Sequence, residues 1–244
     1  MSSLCIEHVV LLHSTGATWA ARPRWKTGPV WRSHQDGEPL GACATLLEQA
    51  PRGRLRYLDR VTVLLGFPHV HYWMLPWQAG LYSQADWQGY ARASFNQQTG
   101  IDPLPWQVQV AHAGFGHSCL AVAIPLDLLE DLRSLFKLKA LPLGTCAPLL
   151  TAALQHYRIR LPGDCVLAVP EARALGCVYM QNGAISQVCL IHTAPDSLLS
   201  DNLFTANLLV EQHAPASFVA TPRPIEPPEH WLGPPHPWLM EPAP

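Results

Sequence analysis

The stretch CVLAVPEARALGCVYMQNGAISQVCLIH, residues 165–192, contains three apolar runs, Cys165–Val169, Leu175–Gln181 and Ile185–His192. The last two are joined by Asn182-Gly183, and both residues tolerate the positive φ angles that a two-residue hairpin turn demands. The stretch therefore predicts a three-stranded antiparallel meander. A helical pattern around Ser197–Gln212 and a short apolar run at Ala216–Ala220 extend it to strand, strand, strand, helix, strand.

Working outward, the beginning of the chain repeats that order of elements. Glu7–Leu12 is an apolar run, followed by the turn-prone His13-Ser14-Thr15-Gly16 and two further strands near Thr18–Ala21 and Pro29–Ser33. A helix over Glu38–Gln49, closed by Pro51 and Gly53, leads to a pair of strands, Val61–Gly66 and Val70–Pro76, around Phe67-Pro68. Ser83 with Asp86 three residues on predicts a capped helix whose stripe is Trp87, Tyr90, Ala91 and Phe95 and whose stop is Gly100. Strands near Trp106–Ala111 and Cys119–Ile124, a helix after Pro125, and one long helix over Thr145–Arg158 fill the middle.

The reading is an α/β protein with mixed sheets in three parts. Residues 1–160 form a first lobe with inserted strand and helix elements, 161–221 a second, reduced lobe, and 222–244 a tail. Nine of the 23 residues from Pro222 to Pro244 are proline, which predicts an extended, core-free segment. Trp231-Leu232 and Trp238-Leu239 flank Pro234 and Pro235 within it and offer two large anchors on a stiff chain. These six residues, with Trp73 and Trp77 of the first lobe, are the candidate partner-binding set. On this reading, loss of the tail leaves the thermal midpoint nearly unchanged and weakens partner capture.

Composition narrows the function. Of 244 residues 48% are hydrophobic and 14% charged, with a formal net charge of -2, so no field exists to hold a nucleic acid. The seven cysteines are scattered singly without a C-x-x-C pair, which suits a reducing cytoplasm. Glu7 and His8 interrupt the apolar stretch an export signal needs, and no run is long enough to span a bilayer.

Three constellations fall short of chemistry. His69-x-His71 would share one face of a strand, as a metal site requires, but no third ligand is placed, so no metal is expected. Gly116-His117-Ser118-Cys119-Leu120 resembles a nucleophile elbow but has Leu120 at the second glycine position. Gly114-Phe115-Gly116 begins a dinucleotide fingerprint that Cys119 breaks.

Two meanders, each followed by a helix and a strand, resemble the actin-like, ribonuclease-H-like fold. Within it, residues 60–187 are similar to the cytoplasmic domain of the type II secretion L protein and, more distantly, to the type IV pilus M protein. The residues carrying this are Val61-Thr62-Val63-Leu64-Leu65-Gly66 running into His71-Tyr72-Trp73-Met74-Leu75-Pro76-Trp77, the helix with Trp87, Tyr90, Ala91 and Phe95, Ala121-Val122-Ala123-Ile124-Pro125 with Leu128, Leu129 and Leu132, and the second hairpin.

The resemblance implies two strand-turn-strand phosphate loops, each with an aspartate serving a metal. Here the first loop reads His13-Ser14-Thr15-Gly16-Ala17-Thr18, with histidine at the acidic position, and the second reads Val169-Pro170-Glu171-Ala172-Arg173-Ala174, without glycine. What it implies is a degenerate pseudo-ATPase without a cofactor: a cytoplasmic scaffold, peripheral at the inner membrane, that binds an inner-membrane pilus or secretion assembly protein. The alternative is a nucleotide-binding ATPase or sensor that holds ATP weakly on His13, Ser14, Thr15, Gly16 and Thr18.

Overall fold

The structure, a computed structural model, describes residues 4–24, 30–111, 114–211, 216–225 and 229–239. The first meander is β1 (Ile6–His13), β2 (Gly16–Pro23) and β3 (Trp31–Asp36), followed by α1 (Pro39–Gln49) and β4 (Arg60–Leu65). An insertion then contributes β5 (His71–Leu75), α2 (Gln84–Thr99), β6 (Trp106–Val110) and β7 (Cys119–Pro125). The chain returns through α3 (Leu126–Leu138), β8 (Leu143–Pro148) and α4 (Leu149–Tyr157). The second meander is β9 (Cys165–Glu171), β10 (Ala174–Gln181) and β11 (Ala184–His192), followed by α5 (Leu199–Val210), β12 (Ser217–Ala220) and β13 (His230–Gly233).

The first sheet has the order β3-β2-β1-β4-β8 and the second β11-β10-β9-β12-β13. In both, the first three strands are antiparallel, and the central first strand is parallel to the fourth, which is parallel to the fifth. The two lobes thus share one topology, which element order had implied. A third sheet, β5-β7-β6, with α2 against it, forms the insertion with its own core around Trp73, Phe95 and Val108.

The period of two along each strand sorts side chains between layers. Val10, Leu12, Trp19, Ala21, Val63 and Leu65 join α1 and α3 on one face of the first sheet. Val9, Ala20 and Leu64, on the other face, meet α4 and the second sheet in a core shared between the lobes. The far face of the second sheet is covered by Leu203 and Ala206 of α5.

The local signals act as expected at α2 and at the second hairpin. Ser83 and Asp86 form a full capping box, and Gly100 ends α2 at φ 70°. Asn182 and Gly183 take φ 52° and 77°, and Gln181 pairs with Ala184 across the turn.

Three expectations are corrected. Thr145–Arg158 is not one helix: Leu143–Pro148 pairs with β4 as the edge strand of the first sheet, and the helix starts only after Pro148, whose missing N–H suits a helix start. The second lobe is not reduced, because β13 supplies its fifth strand. Nor is 222–244 core-free: Leu232 and Leu239 are 7% and 5% exposed and belong to the core between the lobes. Residues 226–228 and 240–244 of that segment lie outside the described residues.

Candidate functional site

The shared topology brings the two hairpin tips, β1–β2 and β9–β10, to opposite sides of one cleft between the lobes. Each tip is a two-residue turn: His13 pairs with Gly16, and Glu171 with Ala174. Turns this short leave no run of free backbone N–H groups to cradle a phosphate. Gly16 has a packing role instead, since at φ 152° a Cβ there would collide with the Gln35 carbonyl of β3. Ser14–Thr18 is therefore an ordinary hairpin turn in its geometry.

The cleft holds a cavity of about 500 Å³ that is open to solvent on one side. Its walls are Leu11, His13, Thr18 and His34 of the first sheet, Leu149 of α4, Pro170, Glu171 and Ala172 of the second hairpin, and Pro222, Pro235 and Leu239 of the C-terminal segment. Neither lysine nor arginine is among them. The His13 ring stacks on His34 with centroids 5.4 Å apart, and its Nδ1 lies 3.1 Å from Thr15 Oγ1. Burial, then the neighbouring His34, hold the His13 imidazole neutral with a pKa lowered to about 4, and its Nε2 is buried without a hydrogen-bond partner. Across the cleft, burial pushes the Glu171 carboxyl up to about 7, although its Oε2 accepts the Phe67 N–H at 2.8 Å.

The C-terminal segment crosses the mouth of the cleft from the second lobe to the first. The Tyr157 hydroxyl donates to the Pro234 carbonyl at 2.7 Å and Arg160 to the Leu232 carbonyl at 3.1 Å. On the other side Arg32 Nε donates to the Trp238 carbonyl at 2.8 Å, and the Arg22 guanidinium sits 4.2 Å from the centre of the Trp238 ring.

These contacts redistribute the candidate partner-binding residues. Leu232, Pro234, Pro235 and Leu239 are buried, and Trp238 is engaged with Arg22, because apolar side chains beside a cleft are worth more packed than solvated. Trp231 stays 40% exposed, its indole donating to the Thr221 carbonyl. Trp73 is 6% exposed in the insertion core. Trp77 is half-buried and meets Phe115, which is 90% exposed, edge-on at 4.9 Å; with Tyr82 and Trp87 they line a recess of about 270 Å³. His69 lies outside β5, so the shared strand face expected for His69 and His71 does not form, and the His71 ring packs edge-on against Phe95 and Trp106.

Sequence reasoning missed Arg22, Arg32, Tyr157 and Phe115. Nothing local marks the first three, whose partners lie 77 to 216 residues away; the only signal for Phe115 was a large aromatic in a glycine-rich loop. Among the described residues no helix is long and apolar enough to cross a membrane.

No family model and no curated protein matches the chain. Solved structures do. The cytoplasmic domain of EpsL, an inner membrane component of the type II secretion system of Vibrio cholerae, aligns at TM-score 0.64 and 13% identity over 93% of this chain and 89% of that one. A protein with an actin-like ATPase fold from Bacteroides thetaiotaomicron aligns at 0.60 and 10% over 89% and 82%. The PilM-PilN type IV pilus biogenesis complex aligns at 0.58 and 12% over 88% and 80%. The chain has an actin-like fold, similar to these proteins in architecture.

Proposed function

We propose that this actin-like protein is a non-catalytic cytoplasmic scaffold that binds an inner-membrane component of a type II secretion or type IV pilus assembly machine. The observation carrying this reading is the cleft between the lobes: both hairpin tips are two-residue turns, neither lysine nor arginine is among the described residues that line it, and the chain's own C-terminal segment crosses its mouth. That arrangement speaks against the ATPase alternative. Fold similarity to the EpsL cytoplasmic domain and to PilM supplies the choice of machine.

The partner contact falls on the recess of the insertion, where Trp77, Tyr82, Trp87 and Phe115 are grouped at the surface. Large aromatics lose little conformational entropy on docking and anchor peptide partners well. The test is a pull-down from native membranes with the full chain, a Trp77→Ala/Phe115→Ala variant and a Trp231→Ala variant, read by mass spectrometry. Recovery of one inner-membrane assembly protein that the first variant loses supports both the scaffold and its contact. Loss only with Trp231→Ala moves the contact to the C-terminal segment. Recovery of no such protein, together with Mg·ATP binding, overturns the reading.

A further inference from the structure

The cavity between the lobes is a site in its own right, separate from the aromatic recess. Its volume, about 500 Å³, lies in the range of small-molecule pockets. Its walls are mostly apolar: Leu11, Leu149, Leu239 and three prolines. The polar groups are few: Thr18 and His34, which share a hydrogen bond of 3.1 Å, with His13 and Glu171 of the two hairpins. A mostly apolar chamber with a few placed polar groups is poor ground for water and good ground for an apolar molecule.

The lining also decides the charge of the occupant. An anion would meet a carboxyl group and, among the described residues of the lining, neither lysine nor arginine. Glu171 already has an intramolecular donor in the Phe67 N–H, so it has no need of a ligand cation to be satisfied. His13 lies on the same wall, but its Nε2 is buried and its Nδ1 lies 3.1 Å from Thr15 Oγ1, so the polar groups open to a ligand are those of Thr18 and Glu171.

We propose that the inter-lobe cavity binds an uncharged, aliphatic small molecule carrying a hydroxyl head group, in the place where a nucleotide would sit in an active member of the fold. The aliphatic part lies against Leu11, Leu149 and Leu239, and the hydroxyl faces Thr18 and Glu171.

The test is an NMR titration of the full chain at pH 6 with 1-octanol, octanoate, octylamine and Mg·ATP, following the backbone amides of Thr18, Ala172 and Leu239. Octanol should shift these three signals saturably, octanoate and octylamine should bind roughly tenfold more weakly or worse, and Mg·ATP should leave them unmoved. Ala172 is exposed at the rim, so Ala172→Trp covers the cavity without entering the core; it should abolish the octanol shifts at Thr18 while the rest of the spectrum stays folded. Equal binding of octanol and octanoate, tighter binding of octylamine, displacement by Mg·ATP, no saturable shift, or shifts that survive Ala172→Trp would each overturn the proposal. So would octanol binding that appears only after removal of residues 240–244, which would make the chain's own end the occupant.

Discussion

Glu171, at the end of β9 in the second lobe, accepts the backbone N–H of Phe67 in the first lobe at 2.8 Å. A Cβ on the preceding Gly66 would run into this carboxylate, so the glycine is what allows the two lobes to approach here. One hydrogen bond thereby couples the second hairpin to the loop that enters the insertion, and its acceptor is a buried ionisable group.

Stability should depend on the charge of Glu171. Burial raises its folded pKa from 4.5 to about 7, outweighing the Phe67 hydrogen bond, which lowers it. The folded state then holds the proton more tightly than the unfolded one, so this contribution is complete below about pH 4.5 and is lost as pH rises through about 7. Glu171→Gln keeps an acceptor for Phe67 and removes the charge. Thermal melts should show the variant close to the parent at pH 5 and more stable by up to about 3 kcal/mol at pH 8. Equal pH dependence in both proteins would rule out a buried charge at this position.

Two buried histidines act in the opposite direction. The Trp19 indole N–H donates to His8 Nδ1 at 3.2 Å, and burial lowers the His8 pKa to about 4; His13 is lowered to a similar value. A depressed histidine stabilises the fold above its unfolded pKa near 6.5, and that contribution is lost as pH falls toward 4. The Trp19 indole N–H resonance should hold its position between pH 7 and 5 and move only on approach to pH 4, when protonation takes away its acceptor. Movement centred near pH 6.5 would mean that His8 is solvated.

Asp59 ties three parts of the first lobe together. Its carboxylate is 0% exposed and accepts the N–H of Ile6 at 2.8 Å, of Gly53 at 3.0 Å and of Arg52 Nε at 3.2 Å. Arg52 in turn donates to the carbonyls of Lys139 and Ala140 at the end of α3. Asp59→Ala leaves the Arg52 Nε and the amides of Ile6 and Gly53 without their acceptor and the guanidinium without its counter-charge, and should cost about 3–5 kcal/mol in urea unfolding. A loss below about 1 kcal/mol would show that water reaches these donors.

The sequence was legible where a signal is local. The Asn182-Gly183 turn, the Ser83–Asp86 box and the Gly100 stop each act within a few residues, and each lies where its chemistry places it. The repeated element order was enough for the two-lobed fold because topology follows from the order of strands and helices. Legibility failed where a distant partner decides. Leu143–Pro148 has helical neighbours but becomes a strand because β4 offers it an edge, and His230–Gly233 becomes one because β12 does. The site divides in the same way: the two-residue turn after His13 lies where the turn-prone His13–Gly16 run places it, whereas the closure of the cleft by Trp238 and Leu239 depends on Arg22 and Arg32, more than 200 residues away.

The C-terminal segment should therefore be needed for stability, contrary to what its proline content implies. Leu232 and Leu239 bury aliphatic surface in the core between the lobes, β13 completes the second sheet, and Tyr157 and Arg160 hold the carbonyls of Pro234 and Leu232. Deleting residues 229–244 exposes that core and should cost at least about 4 kcal/mol. Tyr157→Phe, which removes one hydroxyl and leaves the Pro234 carbonyl unpaired, should cost about 1 kcal/mol. Trp231→Ala, at the surface, should change stability by less than about 0.5 kcal/mol. Thermal melts of the three variants separate the outcomes: a deletion mutant that melts like the parent would return the segment to a free tail, and its two Trp-Leu pairs to the role of partner anchors.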